Sequence, residues 1–314
     1  MIVVGGEALV DLVDDGGSRR AVAGGGPFNT AVALGRLDVP VAFFGAISQD
    51  SYGQILTQLL VDAGVETSLV RRTTLPTPQA TVHREVDGRH SYTFTLAATA
   101  FTDVSPDLLP LLPESVGAVH VGTLALAVDP PAGAYEALID RETETHWVIL
   151  DPNVRPAIFG DADMYRRRFE RIARLADIVK LSDDDAGWIY PDVPLSDVPE
   201  LILGFGPRLV ALTRGANGAV ARSRVAAVDV PAMPVAVADT VGAGDTFGAA
   251  LIAALGDERA LGPGAERELG EEVLRRAVTY AVAASAVTCT RTGAVPPTRI
   301  EVDAQLRAVR AAAS

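Results

Sequence analysis

Residues 239–248 read Asp-Thr-Val-Gly-Ala-Gly-Asp-Thr-Phe-Gly, and residues 249–255 continue as an apolar run, Ala-Ala-Leu-Ile-Ala-Ala-Leu. The run predicts a helix, and the glycines before it allow the backbone N–H groups of its first turn to face a bound phosphate. Asp245 falls at the start of this helix, where an ionised carboxylate can accept a proton from an attacking hydroxyl group. A glycine-rich turn with Asp245 as an ordinary helix cap explains the same spacing equally well.

Composition limits the classes of protein to consider. The chain has 314 residues, of which 48% are hydrophobic, enough for one large α/β domain or two average domains. Its formal net charge is −13, so neither nucleic acid nor an anionic membrane is an expected partner. Lys180 is the only lysine, and no glycine-rich loop precedes it. A Walker A phosphate loop and a protein-kinase site are therefore excluded.

Cysteine usage and the lengths of apolar runs indicate the cellular compartment. Cys289 is the only cysteine, so an intrachain disulfide and a cysteine-rich metal site are excluded. The N-terminus starts with an apolar strand pattern rather than a signal peptide, and no apolar run is long enough to cross a membrane. We therefore expect a cytoplasmic protein.

Strand and helix patterns alternate along nearly the whole chain. Apolar strand patterns at residues 41–46, 65–70 and 147–150 alternate with amphipathic helix patterns such as residues 52–63 and 163–175. This order predicts an α/β fold around a mainly parallel sheet.

One stretch departs from that alternation. Residues 79–86 and 89–96 are predicted to be the strands of a hairpin, because Asp87-Gly88 between them is a strong turn signal. Together with residues 12–23 they can form a small sheet beside the main body.

A second glycine-rich stretch also precedes a helix pattern. Residues 24–26 are three glycines, and apolar side chains then recur at helical spacing up to Leu37. The glycines let a ligand approach the backbone closely, and Asn29 offers it a side-chain amide. The stretch is not a dinucleotide-binding fingerprint, because Asn29 occupies the position of the third glycine.

Polar residues follow two of the apolar strand patterns. Asp11 precedes a turn at residues 14–17 and is either a solvated turn residue or a carboxylate able to accept hydrogen bonds from two sugar hydroxyl groups. Asn153 and Arg155 come directly after the strand pattern that ends at Asp151. The carboxyl end of a parallel strand faces the ligand crevice, although Arg155 can also be a surface residue that caps the loop.

Both glycine-rich stretches resemble the signatures of the ribokinase-like (PfkB) family of carbohydrate kinases. Residues 239–247 resemble its C-terminal signature, and residues 24–37 resemble its N-terminal one. The resemblance runs from about residue 2 to 297, and within the family the chain is most similar to bacterial fructokinases. It implies a three-layer α/β/α ribokinase-like fold with a small β-sheet lid. The chain would then be a single kinase domain over residues 1–314, with lid segments at about residues 12–23 and 78–98.

The same resemblance implies a role for each of the matching residues. In that family the second Asp of the signature is the catalytic base, which is Asp245 here, and the Gly242, Ala243 and Gly244 amides hold the transferring phosphate. The residues implied to bind the sugar are Asp11, Gly25, Gly26, Asn29, Phe94, Asn153 and Arg155. The residues implied to bind the nucleotide are Lys180, Thr213, Gly215, Gly218 and Gly244.

Metal sites are implied at two further positions. Ser182 and Asp185 fall where the family often has Asn-x-x-Glu, which organises magnesium and its water shell, and magnesium takes oxygen ligands partly through water. Asp239 belongs to a loop that can form a monovalent-cation site, so ATP, Mg²⁺ and K⁺ are the expected cofactors. His120 lies in a buried strand pattern and is expected to be a core histidine; no zinc site is predicted.

One departure from the family bears on the substrate. Many fructokinases and 2-keto-3-deoxygluconate kinases carry Tyr-Arg where this chain has Thr95 and Leu96. The missing arginine removes the natural partner of a substrate carboxylate, which argues against a sugar acid. The resemblance to fructokinases implies that a small sugar, fructose above all, and ATP are the substrates, and that two chains form a homodimer through the lid. Kinases for ribose, a nucleoside or 2-keto-3-deoxygluconate, and a non-catalytic sugar or nucleotide sensor, remain alternatives.

Overall fold

The computed structural model describes residues 1–14, 19–84, 90–265 and 267–312. Its strands are β1 (Ile2–Gly5), β2 (Leu9–Asp14), β3 (Arg19–Gly24), β4 (Val41–Ser48), β5 (Val70–Thr73), β6 (Gln79–Arg84), β7 (His90–Thr95), β8 (Ala118–Gly122), β9 (Trp147–Asp151), β10 (Ile178–Ser182), β11 (Leu209–Thr213), β12 (Ala219–Ser223) and β13 (Ala227–Val230). Its α-helices are α1 (Gly26–Arg36), α2 (Ser51–Asp62), α3 (Pro131–Glu142), α4 (Pro156–Phe159), α5 (Ala162–Ala173), α6 (Asp183–Ile189), α7 (Val198–Leu203), α8 (Ala243–Asp257), α9 (Glu271–Cys289) and α10 (Arg299–Ala312).

The described strands form one large sheet of nine strands in the order β13-β12-β11-β10-β9-β8-β1-β4-β5. Neighbouring strands run parallel, except that β12 is antiparallel to both β11 and β13. Strands β1, β4, β8 and β9 are buried along their whole length, as expected for a parallel sheet covered on both faces. The prediction of a mainly parallel central sheet is confirmed.

Helices cover both faces of this sheet because successive strand residues point to opposite sides. On one side Val4 and Ile149 pack in a core with α1, α2, α8 and α9. On the other side their neighbours Val3 and Val148 pack in a second core with α3, α5, α6 and α7. The predicted three-layer α/β/α architecture is therefore confirmed. No helix in the described part of the chain is long and apolar enough to cross a membrane.

A smaller sheet of four strands has the order β3-β2-β6-β7. The antiparallel pair β6 and β7 confirms the two predicted hairpin strands, whereas the Asp87-Gly88 turn lies outside the described residues. The sheet begins at Leu9 rather than at residue 12, so Asp11 lies inside strand β2 and not at a strand end. The predicted strand at residues 65–70 is also wrong, because β5 begins only at Val70 and Glu66 forms an isolated bridge to Ala42.

Candidate active site

Asp245 lies where the first turns of α1 and α8 meet the loops after β8 and β9. Its Oδ2 accepts a hydrogen bond of 2.8 Å from Asn29 Nδ2, and its Oδ1 accepts one of 3.3 Å from Asn153 Nδ2. Asn153 Nδ2 also lies 3.2 Å from Thr123 Oγ1. The structure thus brings together three residues that the sequence places far apart, and two side-chain amides fix the orientation of the Asp245 carboxylate.

The electrostatic surroundings of Asp245 suit a proton acceptor. Burial raises the pKa of this carboxyl, and the Asn29 hydrogen bond and the charges of Lys180 and Arg155 act in the opposite direction. A carboxylate with a raised pKa binds a proton more readily, whereas the two amide donors favour its ionised form. The arrangement therefore provides a carboxyl group that binds a proton more readily than an exposed one does.

The first turn of α8 starts within the glycine motif, as predicted. Gly242 precedes the helix with a φ of +75°, and a Cβ atom there would lie 2.7 Å from Ala294 Cβ. Only glycine meets both conditions, because side chains are disfavoured at positive φ and have no room here. Asp245 is the third residue of the helix that Ala243 begins, so it belongs to the first turn, whose N–H groups have no partner within the helix.

Lys180 places a positive charge against this first turn. Its Nζ lies 3.1 Å from the position that a Gly244 Cβ atom would take, and forms a 2.8 Å ion pair with Asp151 Oδ2. Burial alone would lower the pKa of Lys180, but the carboxylates of Asp151 and Asp185 outweigh that effect, and the pKa is raised. The ammonium group is therefore charged, and a phosphate at the start of α8 would meet both a cation and a helix N-terminus.

The first turn of α1 closes the opposite side of the same site. Gly25 has a φ of +106°, and its carbonyl accepts a hydrogen bond from Asn29 N. A Cβ atom on Gly26 would lie 2.3 Å from Thr123 Oγ1 and 2.8 Å from Asn153 Nδ2. These glycines allow the helix to approach the Asp245 cluster closely and direct Asn29 at it.

Charged side chains surround the site on the side of the small sheet. Arg155 Nη1 donates hydrogen bonds to Asn153 Oδ1 at 2.7 Å and to Asn153 O at 3.0 Å. Burial raises the pKa of Asp11 to about 6, although the Arg155 charge lowers it. Arg155 thus lies near both Asp11 and Asp245, and joins the predicted sugar-binding residues of the small sheet to those of the main body.

Phe94 and Asp11 lie in one row across the small sheet. Asp11 is paired with Ala80, and Ala80 is paired with Phe94. Paired residues point to the same face of a sheet, so the half-buried Phe94 and Asp11 share a face with only a methyl group between them. The row gives that face one aromatic and one acidic group.

Asp185 acts as a structural cap. Its Oδ2 accepts hydrogen bonds from Ser182 N at 2.9 Å and Ser182 Oγ at 2.7 Å, and its Oδ1 accepts one of 2.6 Å from Val154 N. The pair forms a capping box at the start of α6 and also holds the loop that carries Asn153 and Arg155. The magnesium role of Asp185 stays a prediction.

The predicted nucleotide residues beyond Lys180 lie further along the sheet. Thr213 ends β11 and is paired with Ser182 on β10. Gly215 and Gly218 lie in the following turn with φ values of +51° and +81°. A Cβ atom on Gly218 would lie 2.1 Å from Val230 O, so this glycine is required by the turn itself. The nucleotide roles of all three residues stay predictions.

Asp239 fastens the loop that leads into α8. Its Oδ1 accepts hydrogen bonds from Thr240 N at 2.7 Å and Val241 N at 3.1 Å, and its Oδ2 accepts one of 2.8 Å from Gly293 N. The loop is therefore tied to the segment after α9. Its monovalent-cation role stays a prediction.

Several residues of this region were not predicted from the sequence. Glu7 is buried, and its Oε1 accepts a 3.2 Å hydrogen bond from Gly26 N. Thr123 has a φ of +54°, and Asp151 is the buried partner of Lys180. An acid placed directly after an apolar strand pattern is the only signal that could have indicated Glu7 and Asp151. His120 is buried as predicted, and burial together with the charge of Lys180 lowers its pKa to about 3.

Comparison with known proteins identifies a family and several relatives of this chain. The family described as "pfkB family carbohydrate kinase" matches residues 1–300. The fructokinase of Rhizobium leguminosarum bv. trifolii is 38% identical over 280 residues, which cover 88% of this chain and 86% of that protein. The ATP-bound fructokinase structure from Xylella fastidiosa superposes with a TM-score of 0.88 at 25% identity, covering 98% of both chains. The Vibrio cholerae fructokinase with fructose, ADP and calcium has a TM-score of 0.84 at 27% identity and covers 97% of this chain and 98% of its own.

The chain belongs to the pfkB family of carbohydrate kinases. It is accordingly a sugar kinase, and the predicted resemblance, fold and class of enzyme are confirmed.

Proposed function

We propose that the chain transfers the γ-phosphate of ATP to a hydroxyl group of fructose, with Asp245 as the general base. The observation that carries the proposal is the buried Asp245 carboxylate, which two amides orient at the start of α8 beside the Lys180 ammonium group. The relatives point to the same substrates, because a curated relative is named fructokinase and two structural neighbours hold ATP, or fructose with ADP.

The chemistry follows from the two sides of this site. Asp245 takes the proton of the sugar hydroxyl while that oxygen attacks the γ-phosphorus, so an O–P bond forms as the bond to the ADP oxygen breaks. Negative charge spreads over the transferring phosphoryl oxygens during this step. The N–H groups of Gly242, Ala243 and Gly244 are proposed to offset it together with Lys180, which lies against the first turn of α8.

Sugar binding falls to the residues around α1 and the small sheet. Asn29, Asn153, Asp11 and Arg155 offer amide, carboxylate and guanidinium groups that can hydrogen-bond several hydroxyl groups at once. Gly25 and Gly26 let the start of α1 pack closely against Glu7, Thr123 and Asn153, which brings Asn29 to the proposed sugar site. Phe94, in the same row as Asp11, offers an apolar surface to the carbons of a sugar.

Nucleotide and ion binding fall to the neighbouring strands. Thr213, Gly215 and Gly218 lie at and just beyond the carboxyl end of β11, where Thr213 is paired with Ser182 on β10. Magnesium supplies charge neutralisation to the phosphates when it is bound. Both Asp185 oxygens already accept hydrogen bonds, so this residue fits a magnesium ion only through water. A potassium ion would be held at the Asp239 loop.

The small sheet is proposed to act as a lid over the sugar and as the contact of a homodimer. The sheet is joined directly to the proposed sugar site, because β2 carries Asp11 and β3 leads into Gly25 and α1. A single kinase domain over residues 1–314 is proposed with it.

A panel of about a dozen sugars tests the proposed function. The purified chain is incubated with ATP, Mg²⁺ and each sugar, ADP formation is followed, and the phosphorylated product is identified. We expect the highest kcat/KM with fructose, and a background rate without sugar. A higher kcat/KM with ribose, a nucleoside or 2-keto-3-deoxygluconate would show that this compound, rather than fructose, is the preferred substrate. ADP formation that no sugar accelerates would contradict the catalytic proposal and favour a sensor.

A further inference from the structure

Glu7 is a buried acid that caps a helix from a distance. Strand β1 ends at Gly5, and the Glu7 side chain that follows is only 1% exposed. Its Oε1 accepts a 3.2 Å hydrogen bond from the N–H of Gly26, the first residue of α1. The residue before the helix, Gly25, has no side chain for this purpose. The Glu7 carboxyl group, 19 residues earlier in the chain, therefore accepts a hydrogen bond of the kind that an N-cap side chain usually accepts.

The other oxygen of this carboxyl shows which protonation state fits. Glu7 Oε2 is buried and has no hydrogen-bond partner among the described residues. A buried ionised carboxylate with an unpartnered oxygen is costly, and the group avoids most of that cost by holding a proton. Arg155 lies near, but its Nη1 hydrogen bonds go to Asn153 and to Val154 O rather than to Glu7.

The charged and titratable groups around Glu7 come from three other elements. They are Arg155 after β9, Asp245 on α8 and Tyr135 on α3. Burial raises the pKa of Glu7 to about 8; backbone hydrogen bonds and Arg155 lower it, and the charge of Asp245 raises it. An ionised Glu7 would place a second negative charge beside Asp245, whereas the neutral acid leaves the charge of Asp245 and Arg155 undisturbed.

We propose that Glu7 is a positioning residue that acts as a neutral acid, fixing the first turn of α1 so that Asn29 keeps Asp245 aligned. The chain of contacts runs from Glu7 Oε1 to Gly26 N, from Asn29 N to Gly25 O, and from Asn29 Nδ2 to Asp245 Oδ2. The inference rests on the proposed function, because Asp245 is the base that it aligns. Glu7 itself need not touch the sugar or the nucleotide.

Two substitutions separate the neutral acid from the alternatives. Glu7→Gln keeps an oxygen for Gly26 N and carries no charge, so its kcat at pH 7 should stay close to that of the wild type. Glu7→Ala removes the cap, and kcat should fall by a factor of about 10 to 100, as for a misplaced catalytic group. Above pH 8 the wild type should lose activity as Glu7 ionises, and Glu7→Gln should not.

Thermal stability supplies a readout that does not depend on catalysis. The folded pKa of Glu7 lies above its unfolded value, so the native state holds a proton that the unfolded state has released. The contribution of Glu7 to the free energy of unfolding is fully present below pH 4.5, which is its unfolded pKa, and is lost as pH rises through about 8. The Tm of the wild type should therefore fall more between pH 6 and pH 9 than that of Glu7→Gln.

Asp50 offers a matched control, since it is also an acid that caps a helix. Its carboxylate accepts a hydrogen bond from Gly53 N in the first turn of α2. It also accepts hydrogen bonds from the N–H and the hydroxyl group of Thr77, which lies outside the helix. Burial tends to raise its pKa, but these hydrogen bonds lower it, so Asp50 is ionised. Asp50→Asn should lower Tm at pH 6 and at pH 9 alike, and it should leave the alkaline loss of activity in place.

The kinetic and thermal measurements distinguish a failure of the neutral-acid role from a failure of the proposed function. A Glu7→Gln enzyme that is as slow as Glu7→Ala at pH 7, or that keeps the alkaline loss of activity and of Tm, overturns the neutral-acid role. A wild type that phosphorylates no sugar contradicts the proposed function instead. In that case the Tm values at pH 6 and pH 9 still decide whether Glu7 holds a proton.

Discussion

Helices α1 and α8 both begin after a glycine at positive φ that provides no capping side chain, yet their first turns are completed differently. The first N–H of α1 is bound by Glu7, and its turn carries the neutral amide of Asn29. The first turn of α8 carries Asp245 and faces the Lys180 ammonium group. One helix start is closed by a carboxyl group of the chain itself, and the other is bordered by a cation.

From this difference we propose a separate task for each helix start. The α1 turn presents amide and backbone groups, which suit the hydroxyl groups of a neutral sugar. The α8 turn combines the N-terminus of a long helix with the buried positive charge of Lys180, which suits the phosphates of a nucleotide. Within the described residues, the hydrogen bond from Asn29 to Asp245 is the one that directly joins these two turns. We therefore propose that the reaction takes place where the turns meet.

The largest effect is expected from the α8 side. Asp245→Asn keeps the shape and removes the acceptor, so kcat should fall by a factor on the order of 10² to 10⁴, typical of a lost general base. Steady-state kinetics with the best sugar of the panel measure the change. Asp184→Asn is the matched control, because Asp184 is an exposed acid in the first turn of α6 and should leave kcat unchanged. An unchanged kcat in Asp245→Asn would contradict the role of Asp245 as the general base.

A smaller effect is expected from the α1 side. Gly26→Ala introduces a methyl group 2.3 Å from Thr123 Oγ1 and 2.8 Å from Asn153 Nδ2, so both must move. We expect kcat/KM for the sugar to fall about 10- to 100-fold, with a smaller change in KM for ATP. Gly248→Ala is the control inside α8, since nothing lies within 4 Å of the added Cβ atom. Equal losses for sugar and ATP would show that the two turns do not have separate tasks.

The smallest effect is a pH dependence at Asp11. Burial raises the pKa of Asp11 to about 6, so its charged form, the better acceptor for sugar hydroxyl groups, is lost below that pH. The kcat/KM of the wild type for the sugar should therefore fall as pH drops from 7 to 5, and that of Asp11→Asn should be lower and flat in this range. The free energy of unfolding has the opposite pH dependence. Because the pKa of Asp11 is raised in the folded state, its contribution to stability is lost as pH rises through about 6. A flat wild-type profile would exclude an ionised Asp11 from sugar binding.

The two helix starts were predictable because their signals are local. Glycines followed at once by an apolar run mark the start of α8, and the same arrangement at residues 24–37 marks α1. Asp245 and Asn29 follow from those two patterns. That they share a hydrogen bond depends on helix packing, because 216 residues separate them.

The contacts that complete the site depend on strand order. Lys180 meets Asp151 because β10 lies beside β9, and periodicity along the chain carries no information on which strands are neighbours. Periodicity likewise does not show that the chain leaves the large sheet at Gly5 and joins the small one at Leu9, so Asp11, which was predicted at a strand end, lies inside β2. Glu7 lies in that crossing and was missed for the same reason.

A crystal structure of the chain with fructose and a non-hydrolysable ATP analogue tests the central claim most directly. The account predicts a sugar hydroxyl oxygen within about 2.6–3.2 Å of an Asp245 carboxylate oxygen. It also predicts the γ-phosphate of the analogue at the N–H groups of Gly242, Ala243 and Gly244, near Lys180. A sugar bound away from Asp245, or phosphates bound away from the first turn of α8, would contradict it.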